Sequence, residues 1–434
     1  MAPDAQVTTE AVERSEAAGK PISLGLLLIM AALLLRVARE GRAAIGGGAL
    51  GIPTVILGLA VVLFVANLFI RPQQRAIRLD APLKILIALL GWQMVTLLWA
   101  QWPERAVPSM MTYIVFVLGI YFLVLAYTSS GRDLDRWAMM YSIIAIFTLA
   151  LTWQDRLIGW EQVGQETGLQ YIGRYARRAI EALPFALHLA LWGRDRPRRL
   201  LGGGGLLAGL ATIFWTTRRV AVAALLLIGL IYGWLIARRQ RRHLLILLAA
   251  LAVMAALVVT NRSYMHRIRQ IVELDILYSG DSPRIIVWMA GLDALREHWL
   301  LGMGAYNFPT WIHRVWGWPA EFEQHNLTLQ LLTEVGVPGL LIFGAFALAV
   351  LLRVRAGLRA ALARADLRRA SMLTAALSSF AAMLLYAQAQ PFLLDTLIFV
   401  PAALCSVTAE LALRGDRDEP TAEDAQVEPV VAHE

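Results

Sequence analysis

The chain is poor in cysteine and in charge. Its one cysteine, Cys405, excludes a disulfide framework and a cysteine-based metal site. Because Cys405 stands inside an apolar run, it says little about redox compartment. Asp, Glu, Lys and Arg make up only 17% of the 434 residues, less than a soluble protein of this length carries. The sequence shows no repeat of fixed period. Its N-terminal stretch "MAPDAQVTTEAVERSEAAGKP" lacks the basic, apolar and small-residue regions of a secretory signal. His243, His266, His298 and His313 have no ligand spacing with one another. The expected chemistry therefore uses no metal and no cofactor.

What is present is hydrophobic sequence, 58% of the chain, in runs near the ~20 residues that cross a bilayer. Twelve spans are expected, at 22–38, 50–70, 82–100, 109–128, 135–153, 179–193, 200–217, 219–237, 244–260, 325–352, 371–389 and 391–413. The fold class is all-α: a polytopic membrane protein of about twelve transmembrane helices. Residues 1–21 form an N-terminal tail, 22–260 the first nine spans, and 261–324 a large loop containing amphipathic helices. Residues 325–413 form the last three spans, and the acidic tail 414–434 is expected to be disordered. The "GVPG" inside the tenth span predicts a kink or a split.

Lys and Arg are retained on the cytoplasmic side. With the N-terminus placed there, the inside segments include "GRDRPRR", "ARRQRRH" and "RVRAGLRAALARADLRR" and hold most of the 40 basic residues. Both termini are thus expected in the cytoplasm, although "RVAREGR" after the first span breaks the rule. The net charge of +8 then requires no nucleic acid, because most of it faces anionic membrane lipid.

Three patterns carry less than they promise. "GGGALG" at 46–51 has dinucleotide-loop spacing but no preceding strand. "GGGG" at 202–205 reads as a close-packing surface or a flexible helix start. "DLD" at 133–135 has the D-x-D form of metal-dependent glycosyltransferases. It lies between Arg132 and Arg136 in a short cytoplasmic loop, which favours simple charge balance.

Two outer loops are too polar to be turns, 154–178 and 261–324. In the second, "PRIIVWMAGLDALREHW" sets Ile285, Trp288, Met289, Leu292 and Leu295 on one helical face, suited to a membrane surface. Three groups of polar residues then fall at the outer face. Arg218 and Arg219 sit between two spans, where a charge usually has a named partner, snorkelling to lipid being the alternative. Arg284 falls in the first turn of a helix capped by Asp281 or Ser282, where the dipole does not favour a cation. A bound anion explains it, and an exposed loop arginine explains it equally well. His325 and Asn326 open the tenth span. A helix N-terminus keeps the imidazole neutral and able to accept a proton, though a capping or interfacial histidine is the commoner occupant. Taken together, arginines for a phosphate-rich group and a neutral base suggest transfer from a lipid-linked pyrophosphate.

"HNLTLQLLTEVGVPG" matches H-[N/S/Q]-x9-G-x-x-G through His325, Asn326, Gly336 and Gly339. "TTRRVA" is similar to T-x-S-R-G-A, with Arg218 on its arginine. "RIIVWMAGLDALREHWLLGMGAYNF" is similar to R-x3-W…P-x-x-G-x-G-x-x-x-F, with Arg284, Trp288, Gly302, Gly304 and Phe308 in place. These motifs resemble the bacterial O-antigen ligase family. Arg219 departs from the pattern by replacing a small residue, and "HWLLG" lacks the usual proline. The resemblance implies a glycosyltransferase of the inner membrane, its site on the periplasmic face and 261–324 its periplasmic loop. It would move O-antigen polysaccharide from undecaprenyl pyrophosphate to lipid A–core, with inversion. His325 would be the base. Arg284 and Arg218 would bind pyrophosphate. Arg219, Asn326, Arg174, Arg177 and Arg178 would be further substrate-binding candidates. O-antigen polymerases and protein O-oligosaccharyltransferases use the same donor and remain alternatives. A lipid-linked-sugar flippase is the rival from another class.

Overall fold

The computed structural model describes residues 23–40, 52–70, 79–158, 165–216, 218–235, 283–390 and 396–415, with isolated residues between 245 and 265. The described residues are helical, with no strand among them. The helices are α1 (Leu24–Glu40), α2 (Ile52–Ile70), α3 (Ala81–Thr96), α4 (Pro103–Tyr127, π-helical over Ile114–Gly119), α5 (Gly131–Ile158), α6 (Gln165–Trp192) and α7 (Arg196–Thr216). After these come α8 (Arg219–Leu235), α9 (Pro283–His298), α10 (Phe308–Arg314), α11 (Leu327–Ala363), α12 (Leu367–Tyr386) and α13 (Thr396–Arg414).

A helix lies under each expected span except the ninth. That one falls outside the described residues apart from isolated helical positions such as Leu245 and Thr260. Among the described residues five helices are long and apolar enough to cross a membrane: α4, α5, α11, α12 and α13. Two elements run further than hydropathy suggests. α6 begins at Gln165, so much of the expected loop 154–178 is helix, and α11 continues to Ala363 through "RVRAGLRAALA". Arg, Gln, Glu and Ala favour helix as strongly as leucine does. A hydropathy window measures transfer to lipid and is blind to that preference.

Local chemistry starts the helices. Asp80 caps α3 by accepting from the Leu83 N–H (2.9 Å), Asn326 caps α11 from Leu329 (3.0 Å), and Asp366 caps α12 from Arg369 (2.9 Å). The bundle is built around α13, which is buried continuously from Thr396 to Ala409 and packs on α4, α11 and α12. Its "PAALCSVTA" is rich in small residues, which let neighbouring backbones approach. By contrast α2 presents Val55, Leu59, Val61 and Val62 outward. α5, α6 and α7 pack together, and α12 joins α6 to α8 and α13. The glycine run serves that packing. A Cβ on Gly202 would fall 2.3 Å from the Ala190 nitrogen, and one on Gly205 would fall 2.9 Å from Ser142 Cα.

The "GVPG" segment kinks α11 at Gly336, whose backbone (φ 69°, ψ −172°) is one that only glycine adopts readily. Pro338 has no N–H to return to the Glu334 carbonyl, so the ladder opens there. The loop after α9 fills the gap. Met303 N–H donates to Thr333 O (2.8 Å), Gly304 N–H to Glu334 O (3.0 Å) and Trp92 Nε1 to Val335 O (2.7 Å). The approach is so close that a Cβ on Gly336 would lie 2.3 Å from the Leu300 carbonyl oxygen. Beneath, the buried Glu334 carboxyl accepts from Gln330 Nε2 (3.4 Å). The kink thus fixes the outer segment 299–308 to the bundle.

On α9 the protein-facing residues are Val287, Ala290, Gly291 and Ala294. Val287, Ala290 and Ala294 pack with Met303, Phe308 and Ile312. On the other face Met289 and Leu292 are 60% and 61% exposed, leaving an apolar strip directed away from the protein.

Candidate functional site

The start of α11 is held by the end of α12. Leu327 N–H donates to Ala387 O (2.9 Å), and Thr328 Oγ1 to Gln388 Oε1 (2.9 Å). That brings His325, two residues earlier, toward the end of α12. His325 itself has φ 52°, a left-handed conformation uncommon outside glycine. Its Nδ1 lies 2.8 Å from the Glu323 carbonyl. A carbonyl only accepts, so Nδ1 carries the proton and Nε2 is left as the acceptor. The ring stacks on Phe322, with centroids 5.0 Å apart at 18°.

Helix α9 is tied to the same turn. Trp288 Nε1 donates to the Gln324 carbonyl (2.9 Å), while the buried Gln324 amide donates to Thr333 Oγ1 (2.5 Å). Arg284 stands one turn before Trp288, and its charge acts on His325. Burial lowers the His325 pKa, the bond to the Glu323 carbonyl opposes this, and Arg284 lowers it further. The imidazole is neutral near pH 7. The causes are burial and a neighbouring cation, where the sequence suggested a helix N-terminus. Burial also depresses the Arg284 pKa, with Tyr386 opposing. Guanidinium keeps its charge in proteins all the same.

Tyr386, at the end of α12, is where the cations meet. Arg218 (just before α8), Arg177 (on α6) and Arg284 (on α9) all act electrostatically on its hydroxyl. Residues distant in the chain thereby act on one buried phenol. Arg177 also acts on Glu323, whose carboxyl has its pKa raised by desolvation and lowered by Arg177.

The expected site residues separate. His325, Arg284, Arg218 and Arg177 come together. Arg219, half-buried, opens α8 beside Arg218, and Arg174 sits one turn before Arg177 and Arg178 on α6. Arg178 points elsewhere: it is buried and pairs with Glu181 (3.1 Å), which also accepts from the Tyr141 hydroxyl (3.0 Å). The side-chain oxygen of Asn326 is engaged in the α11 cap. The proposed caps Asp281 and Ser282 lie outside the described residues. Two residues were missed. Glu323 stands two positions before His325, and that proximity was a usable signal. Tyr386 lies in an ordinary-looking apolar run and had no local signal at all. Among the described residues no three His, Cys, Asp or Glu side chains gather. A cluster of guanidiniums beside a neutral imidazole can hold a polyanion and take a proton from a nearby hydroxyl.

A protein-family model described as O-antigen ligase matches residues 204–344, which include Arg218, Arg284, Glu323, His325 and the kink in α11. No curated protein matches the chain.

Proposed function

We propose, from the match of residues 204–344 to the O-antigen ligase family model, that the protein is an O-antigen ligase. It transfers a glycan from undecaprenyl pyrophosphate to a sugar of lipid A–core. The site lies on the periplasmic face of the inner membrane, in a bundle of about twelve spans with both termini cytoplasmic. The convergence of Arg177, Arg218 and Arg284 on Tyr386 beside a neutral His325 carries this reading.

The chemistry follows from the geometry. The guanidiniums grip the two phosphates through forked, charge-assisted hydrogen bonds. His325 Nε2 accepts the proton of the acceptor hydroxyl as its oxygen attacks the anomeric carbon. The bond from that carbon to the pyrophosphate oxygen breaks, configuration inverts, and undecaprenyl pyrophosphate leaves with the electron pair. Charge grows on the leaving oxygen in the transition state, where fixed cations act most strongly. Pyrophosphate is a good leaving group, and guanidiniums supply the positive charge that a metal would otherwise bring. Many transporters are built from internal repeats, and the sequence shows no repeat of fixed period.

Purified protein given an undecaprenyl pyrophosphate-linked glycan should glycosylate lipid A–core. A second donor molecule and a pilin-like protein should remain unmodified in parallel reactions. Product on the second donor would make it a polymerase, and product on the pilin a protein O-oligosaccharyltransferase. No transfer to any of the three overturns the reading.

A further inference from the structure

The polar run Glu321–Asn326 puts six side chains in a short space, and four are engaged in holding the fold or the base. Glu321 pairs with Arg105 (3.0 Å) and accepts from Thr310 (3.3 Å). Phe322 stacks on the His325 ring, Gln324 is buried against Thr333, and Asn326 caps α11. That leaves His325 and Glu323. Among the described residues no hydrogen bond or ion pair of the Glu323 carboxyl is seen, and Arg177 acts on it electrostatically. Glu323 is open to solvent, yet protein atoms crowd its carboxyl closely enough to desolvate it. Both observations hold together if the carboxyl lines a recess that water enters. The Glu323 carbonyl receives the His325 Nδ1 proton at 2.8 Å. The carboxyl and the base therefore belong to one rigid turn.

The geometry points to the Glu323 carboxylate as the anchor for hydroxyl groups of the acceptor sugar, next to the hydroxyl that His325 deprotonates. This deepens the transfer reading and rests on His325 being its base. A carboxylate only accepts hydrogen bonds, and sugar hydroxyls supply donors in adjacent pairs that suit its two oxygens. It repels the donor's pyrophosphate, which the arginines draw to the Tyr386 side. The ligand class left for it is a neutral polyol. On a sugar ring the hydroxyl beside the nucleophile lies within a few ångströms of it, which matches an anchor on the same turn as the base. Glu323 is a positioning residue: it holds the acceptor, and His325 moves the proton.

The test uses full-length protein with undecaprenyl pyrophosphate-linked glycan and lipid A–core as probes. Glu323→Ala should raise the acceptor KM roughly ten- to a hundredfold, the loss of hydrogen bonds to a charged group. The donor KM should be unaltered, and kcat at saturating acceptor should stay within about threefold. Glu323→Gln, which keeps the shape and one acceptor oxygen, should fall between the two and guards against misfolding of the alanine variant. A drop in kcat at unchanged acceptor KM, or an equal rise in donor KM, overturns the anchor. Lipid A–core is also titrated onto each protein without donor, and the variants should bind it more weakly. Wild type that binds the acceptor but transfers nothing sinks the transfer reading and leaves the anchor standing. Normal transfer with wild-type acceptor KM in Glu323→Ala does the reverse. Wild type that neither binds nor uses lipid A–core removes both.

Discussion

Two groups of arginines lie toward opposite ends of α12, and they are built on different centres. At the end where α5 and α12 begin, Asp135 receives Arg194 (2.8 Å), Arg198 (3.6 Å) and Arg368 (2.5 Å). At the other end Arg177, Arg218 and Arg284 act electrostatically on the hydroxyl of Tyr386. α12 carries Arg368 and Tyr386, separated by about 27 Å of helix at ~1.5 Å per residue. α6 carries Arg177 and leads into Arg194. A carboxylate inside three cations makes a clamp that joins α5, α12 and the α6–α7 turn. At Tyr386 the three cations act on a neutral hydroxyl instead of a carboxylate. An arginine's role is set by what it surrounds, and Arg177 and Arg178 repeat the lesson on adjacent residues. Arg178 is closed on Glu181, while Arg177 reaches into the site.

The comparison breaks most sharply at the base. His325→Ala should lower transfer by ~10²–10⁴-fold, the range for general-base catalysis, with donor binding retained. Near-normal turnover would remove His325 from that role. Because burial and Arg284 lower its pKa, wild-type kcat/KM should fall only as pH drops below the ordinary histidine value of about 6.5. An acid limb well above that value would contradict the neutral imidazole.

Next come the site-end arginines. Arg284→Ala should cost about 10²–10³-fold in kcat/KM. Arg284→Lys should cost less, since charge survives but the planar fork does not. The same order is expected at Arg218, with Arg219→Gly milder. The loss should be shared by every pyrophosphate-linked donor. If Arg284→Ala changes only which glycan is accepted, the residue reads sugar.

At the other end the effect should be on stability alone. Asp135→Ala leaves three arginines facing one another and should destabilise by roughly 2 kcal/mol, between the values for exposed and buried pairs. The readout is a lower thermal midpoint with unaltered KM for donor and acceptor. A rise in donor KM would mean that the two clusters are not separable. The smallest expected effect is that of a strong chelator: transfer should continue at its normal rate. Loss of activity with EDTA, restored by a divalent ion, would reveal a metal site.

Much of this was legible before any coordinates. Helix positions followed from apolar runs of membrane length, and the kink at Gly336 from a glycine–proline pair. The charge balance read at "DLD" is present, with Asp135 holding three arginines and Asp133 paired with Arg136 (2.8 Å), but these residues open helix α5 and do not form the expected loop. His325, Arg284 and Arg218 stood out as polar residues where a hydrophobic chain has little reason to place them. The helical stretch 165–178 was not legible, because hydropathy does not report backbone preference. Arg178 was grouped with Arg177 because a sequence lists neighbours without the ~100° that separates their directions on a helix.

The sequence alone determined that this is a helical chain with apolar runs of membrane length, broken by a few arginines and an imidazole, since hydrophobic length and charge are local properties of the chain. Tertiary structure decided which of those groups meet. Tyr386 becomes a centre only because the end of α12 holds the start of α11 and three separate helices bring arginines to it. The Glu323 carboxyl is set apart only because Arg105, Thr333 and the α11 cap engage the polar residues around it. Such roles depend on distances between residues far apart in the chain, and those distances are fixed by packing.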